Sequence, residues 1–496
     1  MTDALSNTSP SRSLSAQDVL TAALLFLGLA ALFAFTRSHW LDDWDSVNFA
    51  FGLDDFDVTK HWPHPPGYPV YIAAGKLVYS VIADHAAALT LVSALSAASV
   101  ASMFYVLERR HSDWPVALCA TLIMALSPLF WLQSGLALTD MFGMVFVVGF
   151  LLVEGATTTT PRGALAKRIA CGLIAGLSLG ARPHITLLIA VYWLLRATWS
   201  RPIEVGHVLT AVLAFAVGIA VWLIPASIAT GGPEIYWSAT VGQFEWRFGR
   251  PGVSVLGTPI TGEYLFARVL SLIGSLGQAF GPMHLTTSHI ARRAALGLLI
   301  IVPYLVFAWR GASKSIARPY LIASAVYLLM LFIMLPVRHL RYLLPLSLVI
   351  GWSVSGYLAL FRRPVVRAFA LVVLAAVTVL PSFFLVGALS KVPPPVAGLD
   401  WVKANRPTAI LYSGSLRRHA AFYWPKGEAL PEPKTEAECD QFRKTLASGR
   451  PVISTSSKVC GLEGVKRVVF KRDARIHDKH HYIPIFEFGK SAGSPG

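Results

Sequence analysis

Six aspartates crowd into residues 41–71, LDDWDSVNFAFGLDDFDVTKHWPHPPGYPVY, against a single lysine, and the first hydrophobic run ends just before them. Carboxylates set against a membrane are costly unless they bind or catalyse something. Asp42, Asp43 and Asp45 lie nearest the hydrophobic run. A carboxylate there can act as a general base towards an acceptor hydroxyl or amine, and the same oxygens can hold a divalent cation. Asp54, Asp55 and Asp57 lie farther along and read as a solvated acidic loop. The following HPPGYP is a rigid turn, with prolines fixing φ and Gly67 free to adopt positive φ or allow close approach. It places His64 and Tyr68 near the aspartates.

Other polar groups stand at helix ends. Asp140 opens a hydrophobic run after an uncharged loop, and reads as a second acid entering the same cavity or as a helix cap. Arg182 and His184 interrupt a pair of apolar runs, and Arg338, His339, Arg341 and Tyr342 cluster in PVRHLRYLLPL. Guanidinium forks match phosphate oxygens; snorkelling to headgroups is the alternative for both groups. Tyr236, Trp237, Gln243, Phe244, Trp246 and Arg247 mix aromatic and polar groups in the 230–262 segment. Such a mixture suits a sugar face or an interfacial belt.

These residues need a membrane scaffold, and composition supplies one. The chain of 496 residues is 54% hydrophobic and 14% charged, with mean hydropathy +0.56. Apolar runs of membrane-crossing length recur, which marks an all-α polytopic membrane protein. About eleven spans are expected: 19–36, 86–107, 115–132, 138–154, 169–181, 184–198, 207–229, 294–309, 319–335, 343–360 and 368–389. The first run lacks a small-residue cleavage site and reads as a retained helix. Two further apolar stretches, 68–84 and 264–283, carry Lys76 and Arg268 and read as surface helices.

Basic residues in the short loops at 109–110, 162–168, 196–201, 310–318 and 362–367 fall on one side, the cytoplasmic one by the positive-inside rule. Residues 1–18 are then cytoplasmic. The outer face carries loops 37–85 and 230–293 and a tail, 390–496, that reads as a small soluble α/β domain after a Pro393-Pro394-Pro395 spacer. The net charge of +16 fits cytoplasmic loops and lipid surfaces, not a nucleic-acid partner. Cys439 and Cys460, both in the tail, can pair if it faces an oxidising compartment. No metal-type cysteine spacing and no nucleotide motif is present in the sequence.

The order of these motifs resembles the GT-C class of membrane glycosyltransferases, and more narrowly the family of protein O-mannosyltransferases and lipid A aminoarabinose transferases. DDWDSVNFA follows the first run, HPPGYPVY precedes a surface helix, Asp140 opens the fourth span, and RYLLPL at 341–346 comes late in the bundle. The resemblance covers roughly residues 19–389. The family's commonest form places Asp-Glu before the aromatic-Ala pair; here Ser46 stands at the glutamate, so alignment on Phe49-Ala50 makes Asp45 the base, with Asp43 and Asp42 beside it. The resemblance implies transfer of a sugar from a polyprenyl-phosphate donor to a glycan, lipid or protein acceptor at the outer face of the bacterial inner membrane, with inversion. It implies Arg338, Arg341, Tyr342 and Arg182 on the donor phosphate, and His64, Asp140, His339 and Trp246 around the sugar or acceptor. No cofactor is required, although the carboxylates admit a divalent metal. The rival readings are a lipid-linked sugar flippase, which would carry charge at mid-membrane, and a non-catalytic envelope assembly protein.

Overall fold

The computed structural model describes residues 12–200, 205–251, 253–281, 289–311, 316–472 and 481–489. Most of the expected N-terminal segment 1–18, part of the loop 230–293 and the end of the tail lie outside them. Helix α1 (Ala16–Thr36) starts at a capping box in which Ser15 and Asp18 satisfy each other's backbone. Asp18 also takes the Arg109 Nε at 2.7 Å, tying α1 to the far end of α4 (His85–Arg109). Between them, α2 (Trp44–Asp54) and α3 (Pro69–Ile82) pack Phe49 edge-on to Tyr68 and Tyr71.

The bundle continues through α5 (Trp114–Ala125), α6 (Pro128–Ser134), α7 (Thr139–Glu154), α8 (Pro161–Ala181), α9 (Pro183–Ser200) and α10 (Val205–Ala229). It is completed by α11 (Pro233–Phe248), α12 (Gly262–Phe280), α13 (Ile290–Gly311), α14 (Ala317–Met334), a 3-10 turn (Leu340–Leu346), α15 (Ser347–Leu358) and α16 (Pro364–Gly387). Among the described residues, seven helices are long and apolar enough to cross a membrane: α1, α4, α8, α10, α13, α14 and α16. The pair α5–α6, bent by 66°, makes an eighth if it is one span.

The expected eleven are therefore not all matched by such helices among the described residues. The runs at 138–154 and 343–360 form α7, of 16 residues, and α15, of 12 residues behind the 3-10 turn. Nearly every α15 residue is buried by neighbouring helices. Apolarity there answers to a protein core, and hydropathy cannot tell that from lipid. The run at 184–198 forms α9, which has the length but begins Pro-His and carries Arg196. The two expected surface helices are α3 and α12, neither of which is a candidate span. Arg268 of α12 is buried and donates to the Phe332 and Leu335 carbonyls at 2.6 and 2.7 Å, closing the end of α14.

Residues 394–489 carry α17 (Pro394–Asn405), α18 (Arg417–Tyr423), α19 (Glu436–Ala447) and strands β1 (Ile410–Tyr412), β2 (Glu428–Leu430), β3 (Val452–Ser454), β4 (Lys458–Val459), β5 (Leu462–Glu463), β6 (Val465–Lys471) and β7 (Tyr482–Phe488). The main sheet runs β2-β1-β3-β7-β6, with β1 parallel to β2 and β3 and with β7 antiparallel to β3 and β6. Pro394 opens α17 instead of extending a spacer. Cys439 and Cys460 are bridged.

One seam sets the position of a site residue. α8 lays Gly172, Gly176 and Gly180 against Ala211, Ala214, Gly218 and Trp222 of α10, the small-residue packing that lets membrane helices approach closely. Arg182 caps the end of α8. A Cβ at Gly176 would meet the Phe215 carbonyl oxygen at 2.4 Å and Gly218 Cα at 2.8 Å, backbone atoms that cannot step aside. Gly176→Ala is expected to destabilise the purified protein by about 1–3 kcal/mol. Gly149→Ala, whose Cβ meets only Met103 Sδ at 4.0 Å, serves as the near-neutral control. Thermal unfolding in detergent compares the two.

Candidate active site

The chain leaves α1 and enters α2 through Leu41, Asp42 and Asp43. Asp43 caps α2, its carboxylate accepting the Asp45 N–H at 3.0 Å. Its other oxygen accepts Arg341 Nη1 at 3.0 Å, and Asp45 Oδ2 accepts Arg341 Nη2 at 2.8 Å. One guanidinium, from the 3-10 turn after α14, thus grips two carboxylates 296 and 298 residues away. Asp42 points elsewhere. It is buried and paired with Arg472, whose other nitrogens donate to the Ala388 carbonyl at 3.0 and 2.8 Å.

The turn before α3 brings a histidine to the same place. Gly67 has φ +90, and a Cβ there would meet Phe56 Cζ at 2.6 Å, so both reasons for a glycine hold. His64 sets Nε2 3.0 Å from the Tyr68 hydroxyl and Nδ1 3.6 Å from Asp45 Oδ1. Burial pushes its imidazole down to about 4, against the pull of the Asp45 charge.

A second arginine sits behind the first. Arg182 donates to Asp140 Oδ1 at 2.7 Å and to Thr139 Oγ1 at 2.8 Å. Its guanidinium lies 5.7 Å from the Tyr68 ring and 5.6 Å from the Tyr342 ring. Arg341 lies 5.5 Å from Tyr342 on its own account. Burial would raise the Tyr342 phenol, yet the Arg247, Arg341 and Arg182 charges together bring it below its ordinary value. Asp140 therefore orients Arg182, and its second oxygen has no hydrogen-bond partner.

These groups border a cavity of 960 Å³ lined by Asp45, His64 and Arg341 and closed by Trp246, Arg247 and Arg250 of α11 and its C-terminal flank. Trp44 and Arg418 complete the wall. A narrower groove of 270 Å³ adjoins it, shares His64, Gln243 and Arg247 with it, and is lined by Leu187, Phe244, Met334 and Leu335. Arg247 has no hydrogen-bond or ion-pair partner among the described residues and stands where the polar cavity meets the apolar groove. Among the described residues no group of three His, Cys, Asp or Glu side chains is arranged to hold a metal. A guanidinium already fills the space between Asp43 and Asp45, so the donor set there fits an arginine rather than a divalent ion.

No protein-family model matches the chain, and no curated protein matches it in sequence. Solved structures do. ArnT from Cupriavidus metallidurans bound to undecaprenyl phosphate superposes with TM-score 0.55 at 13% identity, over 97% of this chain and 100% of that one. Archaeal oligosaccharyltransferase AglB from Archaeoglobus fulgidus, in complex with an inhibitory peptide and a dolichol-phosphate, gives 0.51 at 15% identity, over 89% of this chain and 70% of that one. The apo oligosaccharyltransferase of Archaeoglobus fulgidus gives 0.50 at 14%, over 88% and 69%. The fold is that of the GT-C membrane glycosyltransferases.

Within this GT-C fold the residues singled out from the sequence divide. Asp43, Asp45, His64, Arg341, Tyr342, Arg182 and Trp246 converge on the cavity or directly behind it. Asp42, Asp140 and His339 are buried beside it: Asp42 binds Arg472, Asp140 binds Arg182, and His339 packs edge-on to Tyr342 at 5.6 Å. Arg338 is exposed and lies outside the cavity lining. Two cavity arginines carry no sequence signal: Arg250 lies just past the aromatic segment that holds Arg247, and Arg418 sits in the soluble tail, whose SGSLRRH stretch matches no known site pattern.

A histidine buried neutral gains a proton on unfolding, so its contribution to stability is full above about pH 6.5 and falls as pH drops from there towards about 4. His64→Gln is expected to flatten that part of the thermal-stability profile. Superimposable profiles would mean that the imidazole is solvated and charges freely.

Proposed function

We propose that the chain is a membrane glycosyltransferase that moves a sugar from a polyprenyl-phosphate donor to an acceptor at the outer face of the bacterial inner membrane. One observation carries the reading: a carboxylate-bearing polar cavity opens at Arg247 into an apolar groove. That junction suits a ligand with a prenyl tail, a phosphate and a sugar in sequence. Undecaprenyl phosphate in ArnT and dolichol-phosphate in AglB, on the same fold, support it. The tail lies in the groove and Arg247 holds the phosphate, with the buried Arg182 charge behind Tyr342 and with Arg338 outside this arrangement. The sugar projects towards Asp45.

Asp45 takes the proton of the acceptor hydroxyl as that oxygen attacks the anomeric carbon. The carbon–oxygen bond to phosphate breaks, and the electron pair leaves with the lipid phosphate, whose charge the guanidiniums stabilise. Attack opposite the leaving group inverts the anomeric centre. Arg341 holds Asp45 in position, and neutral His64 flanks its other oxygen. The outer-face orientation rests on the basic loops and on the Cys439–Cys460 bridge, which belongs to an oxidising compartment. Residues 390–496 then form an extracytoplasmic domain.

Proteoliposomes supplied with radiolabelled undecaprenyl-phosphate sugars and an envelope fraction test the reading. Asp45→Asn is expected to cut transfer by roughly 10²–10⁴-fold while still binding undecaprenyl phosphate. Arg247→Ala is expected to weaken that binding by about 10-fold or more. Full transfer by Asp45→Asn, or lipid-phosphate binding indifferent to Arg247, would contradict it.

A further inference from the structure

The cavity is larger and differently furnished than a donor sugar requires. Its 960 Å³ is near the top of the roughly 300–1,000 Å³ range of small-ligand pockets. Away from the groove, its wall holds two tryptophans, each with an arginine laid over the ring. Arg250 stands 5.0 Å from the Trp246 ring centroid, one turn along at the end of α11. Arg418 stands 5.1 Å from the Trp44 centroid. All four residues line the same cavity.

The second pair spans two parts of the chain. Trp44 precedes Asp45 in α2, and Arg418 belongs to α18 in the C-terminal domain. Four polar links hold them together: Trp44 Nε1 donates to the Ser415 carbonyl at 2.7 Å, Leu41 N–H donates to the Tyr423 hydroxyl at 2.9 Å, His419 Nε2 lies 3.1 Å from the Leu41 carbonyl, and Asp42 pairs with Arg472. The surface presented to Trp44 is the loop after β1, at the carboxyl edge of the parallel strands β1 and β3, where Ser413, Ser415 and Thr455 hydroxyls bond one another at 2.8–3.3 Å. In open α/β sheets that edge is where ligands bind. Neither Arg250 nor Arg418 has an ion-pair partner among the described residues.

We infer that this half of the cavity is the acceptor subsite and that the acceptor is a glycan, an assignment resting on the transferase reading above. Indole faces pack against the C–H faces of sugar rings, and guanidinium N–H groups donate to hydroxyl and ring oxygens. Inverting attack brings the acceptor in opposite the lipid phosphate, and Trp44, Trp246, Arg250 and Arg418 line the cavity without lining the groove. Among the described residues no strand lines the cavity, so a peptide acceptor would find no strand edge to pair with there. A lipid acceptor would need a second apolar entry, and the groove at Phe244 and Met334 is taken by the donor's chain. The C-terminal domain thereby supplies Arg418 as an acceptor-contacting residue and fixes the segment that bears the base.

Saccharide binding is read without turnover, by saturation-transfer NMR on the full-length protein in detergent, with neutral mannan-, glucan- and chitin-series oligosaccharides and a Ser/Thr-rich peptide as probes. Oligosaccharide binding is expected with wild type, weakened roughly 10-fold in Trp246→Ala and in Arg418→Ala. Arg418→Lys should lie between, keeping the charge without the planar fork. Trp246 is 56% exposed, so its replacement leaves the fold intact even if Arg418→Ala loosens the domain. No binding by any oligosaccharide, binding indifferent to both variants, or preference for the peptide would overturn the assignment. Release of label from the donor lipid judges the transferase reading separately. Wild-type transfer into glycan supports the inference, and transfer into peptide or lipid with glycan ignored defeats it while leaving the transferase standing.

Discussion

Arg341 is the constraint on which the rest of the structure depends. Two carboxylates at a membrane face repel each other and lose hydration, and one planar cation with two parallel donors offsets both costs. The grip holds only if the α1–α2 junction and the break between α14 and α15 are brought together, so it fixes how the first and last parts of the bundle meet. Asp43 is used twice, as helix cap and as ion-pair partner. Breaking the pair at Arg341 would take from buried Asp43 and half-buried Asp45 the guanidinium that they share.

The same accounting separates the arginines by task. Arg341 and Arg182 are held by Asp43, Asp45 and Asp140, and Arg472 by Asp42. These guanidiniums build the walls. Arg247, Arg250 and Arg418 line the cavity without ion-pair partners among the described residues. A tyrosine, Tyr342, sits among three of the guanidiniums, and the resulting positive field near the groove mouth is where a leaving phosphate gains most.

How much of this was legible in the sequence depends on distance along the chain. The acidic run, the HPPGYP turn and RYLLPL each declared themselves through residue types with no cheap structural use at a membrane face. Gly67 was legible because positive φ and close approach both demand glycine. The small α/β domain read in the tail is there, its apolar β-branched stretches 409–413, 452–455, 465–470 and 483–488 coinciding with β1, β3, β6 and β7. What did not show was pairing: nothing in a linear pattern says that Asp42 meets Arg472, that Asp140 serves Arg182, or that Arg338 points outward while Arg341 points in. Seven helices among the described residues have the length and apolarity of a span, because α7 and α15 are shorter than the apolar runs that announced them. Arg418 was invisible because its partner, Trp44, lies 374 residues earlier.

The most direct measurement is the structure of the full-length protein with undecaprenyl phosphate bound. The account predicts the phosphate within hydrogen-bonding reach of Arg247 near Tyr342, with the prenyl chain along Phe244 and Met334 and the Arg341 grip on Asp43 and Asp45 intact. A phosphate seated on Arg338 at the outer surface, or a chain that avoids the groove, would contradict it.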